Sequence, residues 1–461
     1  MSNRAPRAKR PAMNAETPIP HRARRPAAPL AGTIAVPGDK SISHRALMFA
    51  GLAIGETRIT GLLEGEDVLR TAAAMRALGA EVARLDDGAW LVAGPGLGAL
   101  RSPDDVLDMG NSGTAARLLC GILASHDIFA VMTGDASLRR RPMRRVIEPL
   151  AATGAGFAAR PGGRLPLAVT GAAEPLPLSY RLPVASAQVK SALLLAGLNA
   201  RGVTEIEEPE PTRDHSENML RHFGASIDIH AQGTGRLIRL RGQPELRAAD
   251  IVVPGDPSSA AFPIVAALLI PGSRITIEGV GLNKLRTGLF ATLREMGADI
   301  TVINAREAAG EKVGDLIVAA SALRGVDVPA DRAPSMIDEY PILAIACAFA
   351  RGPSRLRGLA ELRVKESDRL AATTDMLRAN GASVAIEGDD LVIVGGANRL
   401  GGGLVTTQMD HRLAMSALVL GLAADAPVTI DDARFIDTSF PGFIPLMRSL
   451  GADIAAEGAP A

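Results

Sequence analysis

One local pattern returns six times along this chain, and it limits the possible folds more than any other feature. The copies are Met75-Arg76-Ala77-Leu78-Gly79-Ala80-Glu81-Val82, Leu150-Ala151-Ala152-Thr153-Gly154-Ala155-Gly156-Phe157, Leu220-Arg221-His222-Phe223-Gly224-Ala225-Ser226-Ile227, Leu293-Arg294-Glu295-Met296-Gly297-Ala298-Asp299-Ile300, Leu377-Arg378-Ala379-Asn380-Gly381-Ala382-Ser383-Val384 and Met447-Arg448-Ser449-Leu450-Gly451-Ala452-Asp453-Ile454. Each reads as the end of an amphipathic helix. The glycine takes the left-handed conformation just past the helix, and the apolar residues after it open a strand. The glycines stand roughly 70 to 84 residues apart, beyond the range of about 20 to 50 residues for solenoid repeats. Each repeat is therefore a small subdomain.

A second, more apolar helix is expected about 30 residues before each amphipathic one, over residues 45–53, 114–124, 188–198, 259–269, 340–349 and 411–422. Short β-rich runs such as Arg274-Ile275-Thr276-Ile277 lie between them, so one unit reads β-α-β-α-β-β. Apolar nearly all round, the first helices should be buried, and the amphipathic ones should face solvent. The six loops before the apolar helices all carry small polar or capping residues: Gly38-Asp39-Lys40-Ser41, Gly110-Asn111-Ser112-Gly113-Thr114, Ala185-Ser186-Ala187-Gln188, Gly255-Asp256-Pro257-Ser258-Ser259, Ser335-Met336-Ile337-Asp338-Glu339 and Gln408-Met409-Asp410-His411-Arg412. In two bundles of three, their N-termini can converge on one cleft with a summed positive potential.

Composition excludes several functions. Lysine plus arginine equals aspartate plus glutamate, 50 against 50, so no global field favours nucleic acid or a membrane surface. No run of about 18 apolar residues offers a membrane span. Two cysteines and seven histidines show no metal-ligand spacing. Cys120 and Cys347 lie in apolar runs and read as buried small hydrophobes. Residues 1–28 are basic and acid-poor, with Arg4, Arg7, Lys9, Arg10, Arg22, Arg24 and Arg25 against Glu16. They read as a disordered basic tail; a transit peptide is the alternative, and there is no signal-peptide core.

The stretch Gly38-Asp39-Lys40-Ser41-Ile42-Ser43-His44-Arg45 follows a strand-like run and opens a helix, an arrangement suited to an anion. It lacks the upstream glycine and spacer of a Walker loop, and an ordinary capped helix with two solvated cations fits it as well. Together with the repeat, this stretch, Gly110-Asn111-Ser112-Gly113-Thr114-Ala115-Ala116-Arg117, Arg141-Pro142-Met143, Leu362-Arg363-Val364-Lys365-Glu366-Ser367-Asp368-Arg369-Leu370 and Asp410-His411-Arg412 resemble the 5-enolpyruvylshikimate-3-phosphate synthases, over nearly the whole chain after about residue 28. The runs Ala185-Ser186-Ala187-Gln188-Val189-Lys190-Ser191 and Ser335-Met336-Ile337-Asp338-Glu339-Tyr340-Pro341 are closer to the bacterial second class.

The resemblance implies a mixed α/β fold (α+β in stricter schemes), a two-domain inside-out α/β barrel with three β-α-β-α-β-β units per domain. Residues 29–44 plus 254–461 would form one domain and 45–253 the other, with the active site in the cleft between them. It also implies transfer of the enolpyruvyl group of phosphoenolpyruvate to the 5-hydroxyl of shikimate 3-phosphate, with loss of phosphate, by addition and elimination through a tetrahedral intermediate. No metal or organic cofactor and no nucleic-acid or membrane partner is implied, and the enzyme would be a cytoplasmic monomer. Together the substrates carry about six negative charges, so many cations are required. Carried over by position, Lys40 touches both substrates. Ser41, Arg45, Ser186, Ala187, Gln188 and Arg213 hold shikimate 3-phosphate, with Asp338 and Lys365. Gly113, Gln188, Arg141, Arg369 and Arg412 hold phosphoenolpyruvate. Asp338 is the base for the 5-hydroxyl, Glu366 the acid for the methylene carbon, and Lys365 stabilises charge beside them.

By themselves, Lys365, Glu366 and Arg369 read as a solvated charge face; their position after a strand-like Arg363-Val364, at a helix start, favours a site. Asp338 alone reads equally as an N-cap, Arg139 and Arg140 as solvated charge, and His411 as structural. The lysine that the plant and enteric class carries before its C-terminal Phe-Pro is absent from Asp437-Thr438-Ser439-Phe440-Pro441. Glyphosate, the family's inhibitor, is longer than phosphoenolpyruvate, so the open space at Gly113 implies sensitivity. Two rivals share the scaffold. The sister transferase acting on a UDP-N-acetylsugar works with a loop cysteine, which Gly134-Asp135-Ala136-Ser137-Leu138-Arg139-Arg140-Arg141 lacks. An inactive anion-binding regulator should have lost acid, base or cation positions, all of which are present.

Overall fold

A computed structural model describes residues 18–396 and 399–457. Among these residues the strands form six four-stranded sheets, built alike. In one unit Leu107–Asp108 runs parallel to Phe129–Thr133, which pairs antiparallel with Arg164–Thr170, and that strand pairs antiparallel with Gly156–Arg160. The helices Gly113–Ala124 and Arg144–Ala151 make the two connections, giving the expected β-α-β-α-β-β order. All six pattern glycines are left-handed, with φ between 83° and 109°. At Gly79 the next N–H, of Ala80, closes on Met75 O at 3.0 Å, as Ala225 does on Leu220 and Ala452 on Met447. The arginine of the pattern has a structural task as well. Arg76, Arg294, Arg378 and Arg448 each donate from Nε to a strand carbonyl six residues on, tying helix end to strand start.

The apolar helices are Lys40–Leu52, Gly113–Ala124, Ala187–Gly197, Pro257–Leu269, Tyr340–Phe349 and His411–Ala423, buried on nearly every side. Each leucine or isoleucine so buried contributes about 1.5–3 kcal/mol. The last three pack on one another, and Gly113–Ala124 packs on both Lys40–Leu52 and Ala187–Gly197. At the second contact a Cβ on Gly121 would meet Ala192 O at 2.1 Å, so only glycine permits that approach. Helices thus lie inside and sheets outside, around two apolar cores. One core draws on residues 23–36 and 260–454, the other on 42–253; they define a discontinuous and a continuous lobe.

The chain crosses between the lobes twice, and the crossings are bonded to each other. Asp39 N–H donates to Pro254 O at 2.8 Å, and Asp256 N–H donates to Pro37 O at 2.9 Å. Strands are exchanged at these crossings: Ala31–Ala35 joins the sheet of Arg274–Gly281, while Ile251–Val252 joins that of Ile54–Thr60.

Two expectations are corrected. The basic tail was expected to extend over residues 1–28; residues 1–17 lie outside the described residues, but His21–Arg24 is a strand between Val428–Ile430 and Asp453–Ala456. The last unit ends one strand short, and the start of the chain supplies it. Ala23 points into the core, while Arg24 pairs with Asp453 at 2.5 Å and Arg25 donates to Ala423 O at 2.6 Å, so Arg22 and Arg24 belong to a strand and Arg25 follows it. Arg363-Val364 is not strand but the end of a 3-10 turn, Ala360–Val364, which buries only Leu362. The sheet of that unit is already complete without it. Cys120 and Cys347 are buried, and burial pushes both thiols up to about 12. Among the described residues no helix is long and apolar enough to cross a membrane.

Candidate active site

The six inner helices start around one cavity of about 510 Å³ between the lobes. Asp39, Ser112, Ser186, Asp256 and Asp410 cap five of them, each accepting an N–H of the first turn. The sixth, Tyr340–Phe349, has no side-chain cap. Asp338, two residues before it, turns its carboxylate to cations instead, so the capping alternative for Asp338 is set aside.

On the continuous lobe, Arg45 is fixed under the cavity by three bonds, to Ser216 Oγ (2.8 Å), Ser191 Oγ (2.7 Å) and Ser41 O (2.8 Å). Burial is the main reason its guanidinium is lowered to about 10. Gln188 accepts from Arg117 Nη1 at 2.8 Å and donates to Thr114 Oγ1 at 3.1 Å. Ser186 and Ala187 form the start of that helix, beside Gln188 on the cavity wall. Arg141 donates to Asn111 Oδ1 at 2.6 Å and Ser137 Oγ at 3.0 Å. Gly113 lies between Arg141 and Arg117; a Cβ there would sit 3.2 and 2.9 Å from their Nη1 atoms. Lys40 and Ser41 line the wall, and the Lys40 ammonium pairs with Asp67.

The acids come from the discontinuous lobe and are gripped from both sides. Asp338 Oδ2 accepts from Arg213 Nη2 at 2.7 Å across the cleft; its Oδ1 lies 3.2 Å from Arg369 Nη1 and 3.3 Å from Lys365 Nζ. Arg412 Nη1 reaches the Asp338 carbonyl at 3.1 Å. Burial alone would raise the Asp338 carboxyl, but Lys365, Arg213, Arg412 and Arg369 hold it well below the usual range. Glu366 lies 2.6 Å from Arg369 Nη2 and 3.8 Å from Arg141 Nη1. Burial is again outweighed, here by Arg369, Arg141 and Lys365, so its carboxyl also lies well below the usual range. Lys365 is lowered chiefly by burial, with Asp338 and Glu366 opposing.

Arg369 departs from expectation. Only 1 % of its side chain is exposed, and it lies behind the cavity wall rather than on it. It opens the helix Arg369–Ala379 and folds back onto Asp410, with Nε to Oδ2 at 2.8 Å and Nη2 to Oδ1 at 3.2 Å. In this conformation its guanidinium is taken up by Asp338, Glu366 and Asp410. His411 lines the cavity as a neutral imidazole, lowered to about 3 mainly by burial, with Lys40, Arg412 and Arg369 adding to that and Asp410 opposing.

Five residues of this arrangement were not assigned to the site by sequence reasoning. Arg117 stands four residues after Gly113 on a helix, a spacing that could have revealed it. Asp67, Asp410 and the ion pair of Arg145 with Glu361, at 3.4 Å across the cleft, join residues far apart in sequence and carry no local signal. Among the described residues no group of three or more histidines, cysteines or acids is placed to hold a metal ion.

A family model described as EPSP synthase (3-phosphoshikimate 1-carboxyvinyltransferase) matches residues 24–447. The chain is 81% identical over 438 residues to a 3-phosphoshikimate 1-carboxyvinyltransferase of Acidiphilium cryptum (strain JF-5), covering 95% of this chain and 98% of the relative. It is 72% identical over 437 residues to the protein of the same name from Granulibacter bethesdensis (strain ATCC BAA-1260 / CGDNIH1), covering 94% and 96%. An EPSP synthase structure from Acinetobacter baumannii superposes with a TM-score of 0.84 at 42% identity, over 95% of this chain and 99% of that one. The enolpyruvyl transferase NikO from Streptomyces tendae matches with a TM-score of 0.76 at 20% identity, over 96% of this chain and 100% of that one, a likeness of fold alone.

Proposed function

The chain belongs to the EPSP synthase family, and from that premise we propose how its residues divide the work. The reaction transfers the enolpyruvyl group of phosphoenolpyruvate to the 5-hydroxyl of shikimate 3-phosphate, in the shikimate pathway to aromatic compounds. In our reading Asp338 takes the proton of the 5-hydroxyl as its oxygen bonds the central carbon of phosphoenolpyruvate, and Glu366 protonates the methylene carbon. The resulting tetrahedral ketal then loses phosphate as the methyl group returns a proton to a carboxylate, and the enol ether forms. The observation that carries this reading is the opposed placement of the two acids: Asp338 against Arg213, Arg369 and Lys365, and Glu366 against Arg369 and Arg141.

The surrounding cations hold both carboxyls well below the usual range, which favours the ionised form, as a base requires and an acid does not. Phosphoenolpyruvate brings a phosphate and a carboxylate to Arg141 and its neighbours. Its charge cancels part of the positive potential that depresses Glu366, so the Glu366 carboxyl rises and can carry the proton. Arg141, Arg412, Lys40 and Gln188 would hold phosphoenolpyruvate, with Gly113 leaving room for its phosphate. Lys40, Ser41, Arg45, Ser186, Ala187, Gln188, Arg213 and Lys365 would hold shikimate 3-phosphate. Arg369 is assigned to positioning Asp338 and Glu366.

We take 29–44 with 254–461 as one domain, extended by the strand His21–Arg24, and 45–253 as the other, a division supported by the two apolar cores. The second core begins at Ile42, three residues before that boundary. The reading is of a monomeric cytoplasmic enzyme without nucleic-acid or membrane partner. Phosphate release from phosphoenolpyruvate, with and without shikimate 3-phosphate, tests the assignment. Release that depends on shikimate 3-phosphate is expected; none from folded protein refutes it.

A further inference from the structure

Behind the shikimate 3-phosphate side of the cavity lies a cluster of fully buried charges that the reaction does not use. Lys190, on the helix that begins at Ala187, is 0 % exposed, as are Glu208 and Glu217. Its ammonium lies 3.0 Å from Glu208 Oε1 and 2.8 Å from Glu217 Oε1, and donates to Thr212 O at 3.3 Å. Arg236 joins from the strand Gly235–Arg241, bonding Glu208 Oε2 at 2.9 Å and Thr212 O at 2.6 Å. The Thr212 hydroxyl donates to Glu208. Three separate ties therefore hold one residue, and that residue immediately precedes Arg213.

The loop they hold, Pro209 to Arg213, has no helix or strand of its own, so its backbone needs partners from elsewhere to keep one conformation. An irregular loop that must aim a guanidinium across the cleft at Asp338, 2.7 Å away, gains from rigid support. Burying three charges and most of a fourth is not a route to stability, since an apolar core of the same volume does as well or better. What the cluster does provide is direction, through bonds of fixed geometry from a helix and a strand to one carbonyl and one hydroxyl.

We propose that Lys190 and Arg236 are positioning residues for shikimate 3-phosphate, holding Thr212 so that Arg213 is aimed at the ligand. This rests on the reading of Arg213 as a shikimate 3-phosphate contact, and the two can fail separately. Calorimetric titration of the full chain with shikimate 3-phosphate is run on the wild type, Arg213→Ala, Lys190→Met and Lys190→Met with Arg213→Ala. Misaiming a binding group by about 1 Å costs up to about 100-fold, so Lys190→Met should weaken binding by about 10-fold or more. Its KM for phosphoenolpyruvate should stay within about twofold. Because Lys190 acts through Arg213, its effect should vanish in the Arg213→Ala background.

Losses that simply add, or Lys190→Met binding within twofold of wild type, would overturn the proposal. If Arg213→Ala itself leaves shikimate 3-phosphate binding unchanged, the Arg213 assignment fails and this inference falls with it. Should Lys190→Met not fold, Arg236→Gln, whose side chain reaches the edge of the cluster, carries the same cycle with the same two outcomes.

Discussion

Gly113→Ala tests the phosphoenolpyruvate pocket with a single methyl group. Gly113 is not among the left-handed glycines, and it opens a helix, so the backbone accepts alanine. Removing a glycine from a helix contributes up to about 1 kcal/mol. The new Cβ would lie 2.9 Å from Arg117 Nη1 and 3.2 Å from Arg141 Nη1. Both are ends of flexible side chains, so a shift of a few tenths of an ångström relieves the contact, and stability should change by less than about 1 kcal/mol. The shift nonetheless strains the Arg117 bond to Gln188 and the Arg141 bond to Asn111, at 2.8 and 2.6 Å. A hydrogen bond to a charged group contributes about 1.5–3 kcal/mol. Losing about 1 kcal/mol of that raises the KM for phosphoenolpyruvate about fivefold. Glyphosate, being longer, also meets the methyl itself, at an overpacking cost of about 1–3 kcal/mol, so its inhibition constant should rise about 30-fold or more. Steady-state phosphate release, with both substrates and the inhibitor varied, measures both constants, and urea unfolding measures the stability. An unchanged inhibition constant, or one that rises only in step with the KM, would refute the reasoning.

Three further outcomes follow from the charges around the cavity. Asp338→Ala and Glu366→Ala should each abolish turnover far more than they weaken substrate binding, and near-normal turnover by either would show the acid and base roles to be misplaced. Asp410→Asn removes the buried partner that Arg369 bonds through Nε at 2.8 Å and Nη2 at 3.2 Å; since Glu366 and Asp338 remain, urea unfolding should show a loss of about 3 kcal/mol, the low end for a broken buried pair, and a loss under about 1 kcal/mol would contradict the burial argument. His411 has its imidazole lowered from 6.5 to about 3, chiefly by burial. Below pH 6.5 the unfolded chain binds a proton there that the native state refuses, so stability falls as pH drops from 6.5 toward 3, by about 1.4 kcal/mol per unit from this group. His411→Gln should flatten the slope of urea stability against pH by that amount, and an unchanged slope would mean the imidazole already titrates normally in the folded protein.

The fold was legible because its signal is local and repeated. A helix-ending glycine followed by a strand is written in eight residues, and six copies at similar spacing leave little choice of subdomain. The places where reading failed are those where a unit is completed from elsewhere. His21–Arg24 looks like a basic tail because nothing beside it in sequence indicates that Val428–Ile430 and Asp453–Ala456 need a strand between them. Val364 looks like strand by residue type, yet the four strands of that unit's sheet form without it, and the segment coils into a turn.

The site divides in the same way. Residues at helix starts were found, because a capped N-terminus beside a cation is a local feature: Lys40, Gly113, Ser186, Gln188 and Arg412 all stand on the cavity wall. What sequence could not supply is which cation faces which acid. Arg369 and Glu366 sit three residues apart and would pass for a solvated pair, until Asp410, more than forty residues away, draws Arg369 under the wall. That displacement gives Arg369 its place in the arrangement. A cation held behind two carboxylates is the main one holding Glu366 down and, after Lys365, Arg213 and Arg412, helps to hold Asp338 down, without blocking the space before them. In the proposed reading the two arginines of the other lobe that line the cavity, Arg213 and Arg141, exchange Asp338 and Glu366 for the anionic groups of the substrates.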